Sequence, residues 1–375
     1  MVMAVVWIFV AIMALLFMIT IHELGHYIAA KILGFRVNEF AIGFGKAIYK
    51  HTNKKTGEVF SIRMIPLGGY CAFEGQEDPI VGQKKRDESM YTKKGGDYND
   101  MAPWKRIVVL ASGVLFNFIC AIVFCLILVM GVGYNHEVKI DRVDENTHMS
   151  TTFNVGDRIV AVNGEKMTLL KNYNTLVAPI GRGAENTFTM DIWRKSTGEV
   201  EKNVPVYKGE VTPLDGKTPP YYTLGFGGKI DYIQMDFIPA CGKSVVLSFE
   251  FAKMILEFLG KMVTGQISFS EMGGTFSTIA VMGEAISAHD GQPWYSGLLN
   301  LLILIPFISV NLAVFNILPI PALDGARIVF VAIEWVRGRP VNRDLEERIH
   351  LIGLLCLLGF VLLLDFNYLI LQRLM

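Results

Sequence analysis

The sequence predicts an α-helical polytopic membrane protein with four transmembrane helices, a β-hairpin loop after the first, and one inserted extracytoplasmic α+β domain. Three observations carry this reading. The 375 residues are 52% hydrophobic and only 19% charged, with a mean hydropathy of +0.39, whereas soluble proteins carry roughly 25% charged residues. Four apolar runs approach or exceed the roughly 20 helical residues that cross a bilayer core. Between the second and third runs the pattern changes to short alternating strands separated by turn residues. Lysine plus arginine balance aspartate plus glutamate at 35 each, and no basic tail points to nucleic acid. Cys71, Cys120, Cys125, Cys241 and Cys356 form no CxxC pair, so they read as small hydrophobes rather than a disulfide framework or a metal site.

Met1 to Ile21 and Ile107 to Tyr134 contain no charged side chain. The third run, Gln292 to Leu323, is also uncharged, with Pro306, Pro319 and Pro321 inside it or at its end. The fourth, Leu351 to Leu371, carries Asp365, which is tolerable near an interface. A cleaved signal peptide is the other reading of the first run. It lacks a basic n-region and a small-residue cleavage site before the histidines, so a retained span is expected.

Basic residues set the orientation. Lys31 to Arg106 holds fourteen of them against nine acids, and no basic residue precedes the first span, so this segment is expected in the cytoplasm. The second span then exits, residues 135 to about 290 lie outside, and the third span returns. Arg327 to Arg348 is cytoplasmic and the fourth span exits.

At the inner end of the first span stands "HELGH", His22 to His26. On a helix, residues four apart share a face, so His22 and His26 can bind one metal ion while Glu23 takes a proton from water. An interfacial cluster of polar residues is the plain alternative. Three ionisable groups at membrane depth are costly unless they pair, ligate or line a cavity, which favours zinc, one ion per chain. A catalytic zinc site needs a third protein ligand. Proximity along the chain nominates Glu39, His51 or Glu58; topology favours Asp324, because the first and third spans run in the same direction and end at similar depth. The paired prolines before Asp324 argue for broken helix around a site.

Residues 40 to 73 carry short apolar runs, glycines and a "TNKKTGE" turn, and read as β-hairpin. The outer segment from about His136 to Asp236 contains "VGDRIVAVNGEKM", a strand, an Asn-Gly turn and a strand, followed by a second hairpin pattern around a Thr-Gly turn. "KSVVLSFEFAKMILEFLGKMVTG" is an amphipathic helix, lying either at the outer interface or in the core of the outer domain. Glu74 to Pro103 reads as a flexible polar linker.

HELGH in the first span, "ASGVLFNF" (Ala111 to Phe118) in the second and "NILPIPALDG" (Asn316 to Gly325) at the end of the third together resemble the site-two protease family of intramembrane zinc metalloproteases. The similarity extends to the bacterial regulator of sigma-E protease type, with a single outer PDZ region. The resemblance implies His22, His26 and Asp324 as zinc ligands and Glu23 as the catalytic acid/base. It implies that the hairpin is membrane-associated, with Gly43, Phe44 and Gly45 matching a GFG element that pairs with extended substrate. Asn316, Pro319 and Pro321 match substrate-handling positions. Gly113 and Asn117 match a GxxxN element in which Asn117 serves helix packing or function equally well. The implied partners are the lipid bilayer and single-pass membrane substrates such as anti-sigma factors or remnant signal peptides. The implied location is the bacterial inner membrane, with the site near the cytoplasm and the PDZ domain outside. A PDZ-like module could bind peptide or only exclude bulky ectodomains, and a non-proteolytic adaptor using the same cavity is the alternative function.

The expected organisation is therefore residues 1–34, first transmembrane helix; 35–75, β-loop; 76–104, cytoplasmic linker; 105–134, second transmembrane helix; 135–240, PDZ-like domain; 241–290, interfacial helix and connector; 291–325, third transmembrane helix; 326–348, cytoplasmic loop; and 349–375, fourth transmembrane helix.

Overall fold

The computed structural model describes residues 2–76, 95–144, 147, 149–171, 173–211, 221–266 and 296–374. The chain forms two units, residues 1–125 with 245–375, and residues 126–244 between them.

The first unit opens with α1 (Val2–Leu33), a 32-residue helix that carries the apolar run and continues through the HELGH motif. The chain then forms an antiparallel hairpin, β1 (Val37–Thr52) and β2 (Val59–Phe73). Its turn is built as the sequence suggests: Asn53 Oδ1 accepts the backbone N–H groups of Lys55 and Thr56, a local bond that competes with strand continuation. Phe35, Phe73 and Tyr98 cluster at the base of the hairpin, with ring centroids 5.6 to 6.2 Å apart. This anchors the strands where α1 ends. Most of the expected linker, 77–94, lies outside the described residues.

The next helix, α2 (Pro103–Val132), starts on a proline, whose missing N–H would be unsatisfied at that position anyway. Its first turn holds Arg106, 1% exposed.

The inserted unit contains β3 (Asn135–Val143), β4 (Arg158–Val162), β5 (Glu165–Lys166), α3 (Tyr173–Val177), β6 (Phe188–Trp193), β7 (Val200–Val206), β8 (Gly209–Val211), β9 (Tyr221–Thr223) and β10 (Phe226–Ile233). An antiparallel sheet runs β10-β3-β4-β6-β7, with β5 on β4, and β8 and β9 pair separately. The expected Asn-Gly turn joins β4 to β5, with Asn163 and Gly164 at φ 49° and 75°. The core comprises inward residues such as Ile140, Phe153, Ile159, Met190 and Val206. Asp157, of the "GDRIV" stretch, is buried and accepts bonds from Arg194 and from the backbone N–H groups of Lys195 and Asn154. It holds loops together.

The first unit resumes along α4 (Phe237–Val263). The helix predicted here is present, with Leu247, Phe251 and Ile255 buried and the apolar Phe249, Leu256 and Val263 exposed. Next come α5 (Ser296–Ile317), α6 (Asp324–Arg337) and α7 (Arg343–Leu374). Among the described residues, three helical stretches are long and apolar enough to cross a membrane: Phe9–Leu33, Pro103–Gly131 and Arg343–Phe366. Leu302–Ile317 is a shorter apolar helix, and the start of the expected third span lies outside the described residues.

Two boundaries differ from the sequence reading. The third apolar run leaves helical geometry at Ile317 rather than continuing to 325, because Pro319 and Pro321 cannot supply helix N–H groups. Residues 326–348, expected as a loop, are largely helical. Their charges suggested solvent, but Glu334 pairs with Arg106 at 2.5 Å and with Arg343 at 3.2 Å, while Ala326 and Val331 are buried. Paired charges let α6 pack against the helix ends.

Candidate metal centre

The helical spacing of HELGH places both imidazoles on one face of α1, with ring centroids 4.7 Å apart and planes at 88°. Both residues are buried, at 7% and 6% exposed. The His26 Nδ1–H donates to the Val109 carbonyl of α2 at 2.8 Å, which in the neutral ring leaves Nε2 as a lone pair aimed at the site. The His22 Nδ1 lies 3.3 Å from the Asn117 side-chain amide. Asn117 Oδ1 is buried and has no partner among the described residues. The amide orientation that presents Oδ1 to the His22 Nδ1–H satisfies both groups and likewise leaves His22 Nε2 as a lone pair.

These rings can approach α2 so closely because residue 113 is glycine. A Cβ there would fall on His26 Nε2 and lie 2.7 Å from His22 Cε1. Helix packing and ring placement are one geometric fact at this position.

The carboxylate arrives from the far end of the sequence. After Ile317 the chain turns through Leu318 to Leu323, and α6 begins at Asp324. Gly325 permits this turn: a Cβ there would collide with the carbonyl oxygens of Ile317 and Leu318. Asp324 Oδ2 is thereby set 2.9 Å from His22 Nε2 and 3.2 Å from His26 Nε2. The two Nε2 atoms are 3.1 Å apart.

That triangle can be compared with a zinc shell. Ligand bonds near 2.0 to 2.1 Å in a tetrahedron separate donor atoms by about 3.3 Å. The observed separations of 2.9 to 3.2 Å are close to this, and two imidazole lone pairs plus a carboxylate are an ordinary donor set for zinc. The three residues fit the ion.

Glu23 lines the same cavity, which has a volume of about 510 Å³. Its side chain lies against β2, where a Cβ at Gly69 would come 3.5 Å from Glu23 Cγ. Phe44 and Asn316 also line the cavity, as does Asn117. Gly43 and Gly45 sit at an irregular stretch of β1, at φ 85° and 83°, facing Ile65. Pro319 and Pro321 belong to the turn before Asp324 rather than to the cavity wall.

The alternative third ligands lie elsewhere. Glu39 accepts hydrogen bonds from Arg63 and Ser61, Glu58 pairs with Lys31 at 2.6 Å, and His51 is exposed at the end of β1. Among the described residues, His22, His26 and Asp324 are the group of side chains that could hold a metal ion. The sequence reading missed two other cavity residues, Arg327 and His350. Arg327 follows Asp324 by one helical turn, a signal in the sequence; His350 gave only a lone histidine before an apolar run.

The class is thus a membrane-type helical protein with a buried, metal-competent site and an adjacent carboxylate suited to hydrolysis. The comparison with known families is specific: residues 10–360 match peptidase family M50. The chain belongs to this family, and the protein is a peptidase. It is 27% identical to the "Regulator of sigma-W protease RasP" of Bacillus subtilis over 418 aligned residues, covering 92% of this chain and 94% of the relative. It is 28% identical to the "Zinc metalloprotease RasP" of Bacillus licheniformis, with the same two coverages. Similarity to the "Zinc metalloprotease RasP" of Geobacillus kaustophilus is 27%, over 92% and 93% of the two chains.

Proposed function

We propose that the protein is an intramembrane zinc metalloendopeptidase that cuts transmembrane segments of single-pass membrane proteins. The observation that carries this is the convergence of His22, His26 and Asp324 on one point, within 3.2 Å of one another, beside Glu23 in a common cavity. His22, His26 and Asp324 would hold the ion. Bound zinc supplies Lewis acidity that polarises the scissile carbonyl and activates water near neutral pH.

The protein's own groups do the rest. The Val109 carbonyl and the Asn117 amide orient the two imidazoles. A Glu23 carboxylate oxygen takes the proton from the attacking water and then delivers it to the leaving amine nitrogen. β2 runs beside Glu23, and the absence of a side chain at Gly69 leaves room for it there. A substrate helix hides its peptide groups in its own hydrogen bonds, so it must be unwound before attack. The β1–β2 hairpin, with Gly43, Phe44 and Gly45, offers strand edges to extended substrate, and Asn316 extends the receiving wall. Pro319 and Pro321 keep the neighbouring chain from forming helix.

In this reading α5 is part of a third span, making four. The inserted unit is a PDZ-like extracytoplasmic domain that selects substrates by peptide binding or by size. The active site faces the cytoplasmic side of a bacterial inner membrane. The sigma-W name of the B. subtilis relative supports anti-sigma factors as a substrate class.

The deciding experiment is cleavage of a single-pass transmembrane substrate in liposomes by the original protein and by Glu23→Gln, with zinc measured in both. Loss of cleavage by about 10³-fold with zinc retained is expected. Equal cleavage by the two proteins sinks the assignment.

A further inference from the structure

The turn that delivers Asp324 does not support itself. Ala322, two residues before the carboxylate, has φ 80°, a left-handed conformation that a non-glycine residue keeps only when its surroundings hold it. Three local hydrogen bonds, Leu318 N–H to Phe315 O, Ile320 N–H to Leu318 O and Leu323 N–H to Ile320 O, bend the chain but leave the Ala322 N–H for another partner.

That partner comes from α7. The Ala322 N–H donates to His350 Nδ1 at 3.0 Å, across 28 residues. The His350 side chain is buried, 4% exposed, and its ring packs on Phe330 of α6 with centroids 5.6 Å apart. One residue therefore touches both the turn before Asp324 and the helix that starts with it. Gly353, one turn further along α7, meets the same segment: a Cβ there would strike Pro321 Cβ and lie 3.0 Å from the Pro321 carbonyl. At positions 350 and 353, α7 grips residues 321 and 322.

We infer that His350 is a positioning residue for the third ligand: from α7 it holds the turn at Ala322, and thereby the Asp324 carboxylate, against the two histidines. It acts through the backbone and needs no contact with ion or substrate. The acceptor at Nδ1 is the essential feature, and Gly353 supplies the close approach that lets it reach. The inference rests on the proposed zinc site.

The test is zinc retention by the full-length purified protein, followed as the rate of zinc transfer to a chromophoric chelator. His350→Leu fills similar space without an acceptor and should lose zinc about tenfold faster, in line with the effect of groups that orient metal ligands. His350→Asn places an acceptor near the former Nδ1 and should restore retention to within about twofold. Gly353→Ala should accelerate loss like His350→Leu by displacing Pro321, which keeps the idea testable if His350→Leu fails to fold. Zinc retention by a folded His350→Leu or by Gly353→Ala equal to the original overturns the inference. So does loss from His350→Asn as fast as from His350→Leu. Asp324→Asn is run in parallel: if it also keeps zinc, the metal site itself is misassigned; if it alone loses zinc, only the role of His350 fails.

Discussion

His22 Nε2 and Asp324 Oδ2 are 2.9 Å apart although 302 residues separate them in the chain. The contact joins the HELGH helix to the start of α6, and it completes a donor triangle that neither segment could form alone. Removing either end should therefore disable the same object. Asp324→Asn keeps the shape but weakens the anionic donor, and zinc content is expected to fall from one per chain to well below one after dialysis. Elemental analysis of the purified variant checks this. Stripping the original protein with a chelator should abolish cleavage, and added zinc should restore it.

Gly113→Ala places a methyl group where both imidazoles lie. The rings must move or α2 must retreat from α1, and either change spoils the donor triangle. We expect at least a tenfold loss of zinc affinity and a larger loss of activity, in a protein that still inserts and folds. Competitive zinc titration separates this outcome from simple misfolding. A Gly113→Ala protein with full affinity would show that the rings adjust freely.

Arg106 is 1% exposed and donates to both Glu334 carboxylate oxygens, at 2.5 and 3.1 Å. Burial works against the charge on Glu334, but the Arg106 and Arg343 guanidiniums outweigh it and lower its pKa. Glu334→Gln leaves a buried guanidinium without its counter-charge, which costs about 3 kcal/mol. Thermal unfolding in detergent should show a clear fall in Tm. Replacing Arg106 and Glu334 together by leucine should recover most of it, since the unpaired charge is gone.

Glu39 gives the hairpin a pH dependence. Burial raises the pKa of its carboxyl, yet hydrogen bonds from Arg63 and Ser61 win and the net shift is downward from 4.5. A depressed carboxylate contributes stability above its unfolded value, near 4.5, and loses that contribution as pH falls through its folded value. Glu39→Gln should be less stable than the original at pH 7 by about 2 kcal/mol, the scale of a hydrogen bond to a charged group. The difference should shrink below pH 4. Limited proteolysis of the hairpin across this range is the measurement; a difference that stays constant with pH contradicts the assignment.

Gly325→Ala tests the turn itself. Its Cβ would meet the carbonyl oxygens of Ile317 and Leu318, so Asp324 must be displaced. Activity should fall by about two orders of magnitude, the penalty for a misplacement of about 1 Å. Cleavage assays on the reconstituted variant give the answer.

The sequence by itself determined the apolar helices, the hairpins and half of the site. Period and composition are local signals: an uncharged run becomes α1, "TNKKTGE" becomes a turn, "VNGE" becomes a tight β-connection, and His22 and His26 meet because a helix brings residues four apart together. Glu23 was legible for the same reason. Tertiary structure decided what depended on approach between distant segments. Span direction and the resemblance at "NILPIPALDG" already favour Asp324 over Glu39, His51 and Glu58, but the approach itself, 2.9 Å between Asp324 Oδ2 and His22 Nε2, follows from the sharp turn of the chain at Gly325. The helical character of residues 326–337 was hidden because its charges are neutralised by Arg106 and Arg343, partners far away in sequence. His350 was invisible as a functional residue because its one telling bond goes to a backbone N–H freed only by the strained turn at Ala322. Local periodicity writes the elements; the distances between their ends are set by packing, which no short stretch of sequence contains.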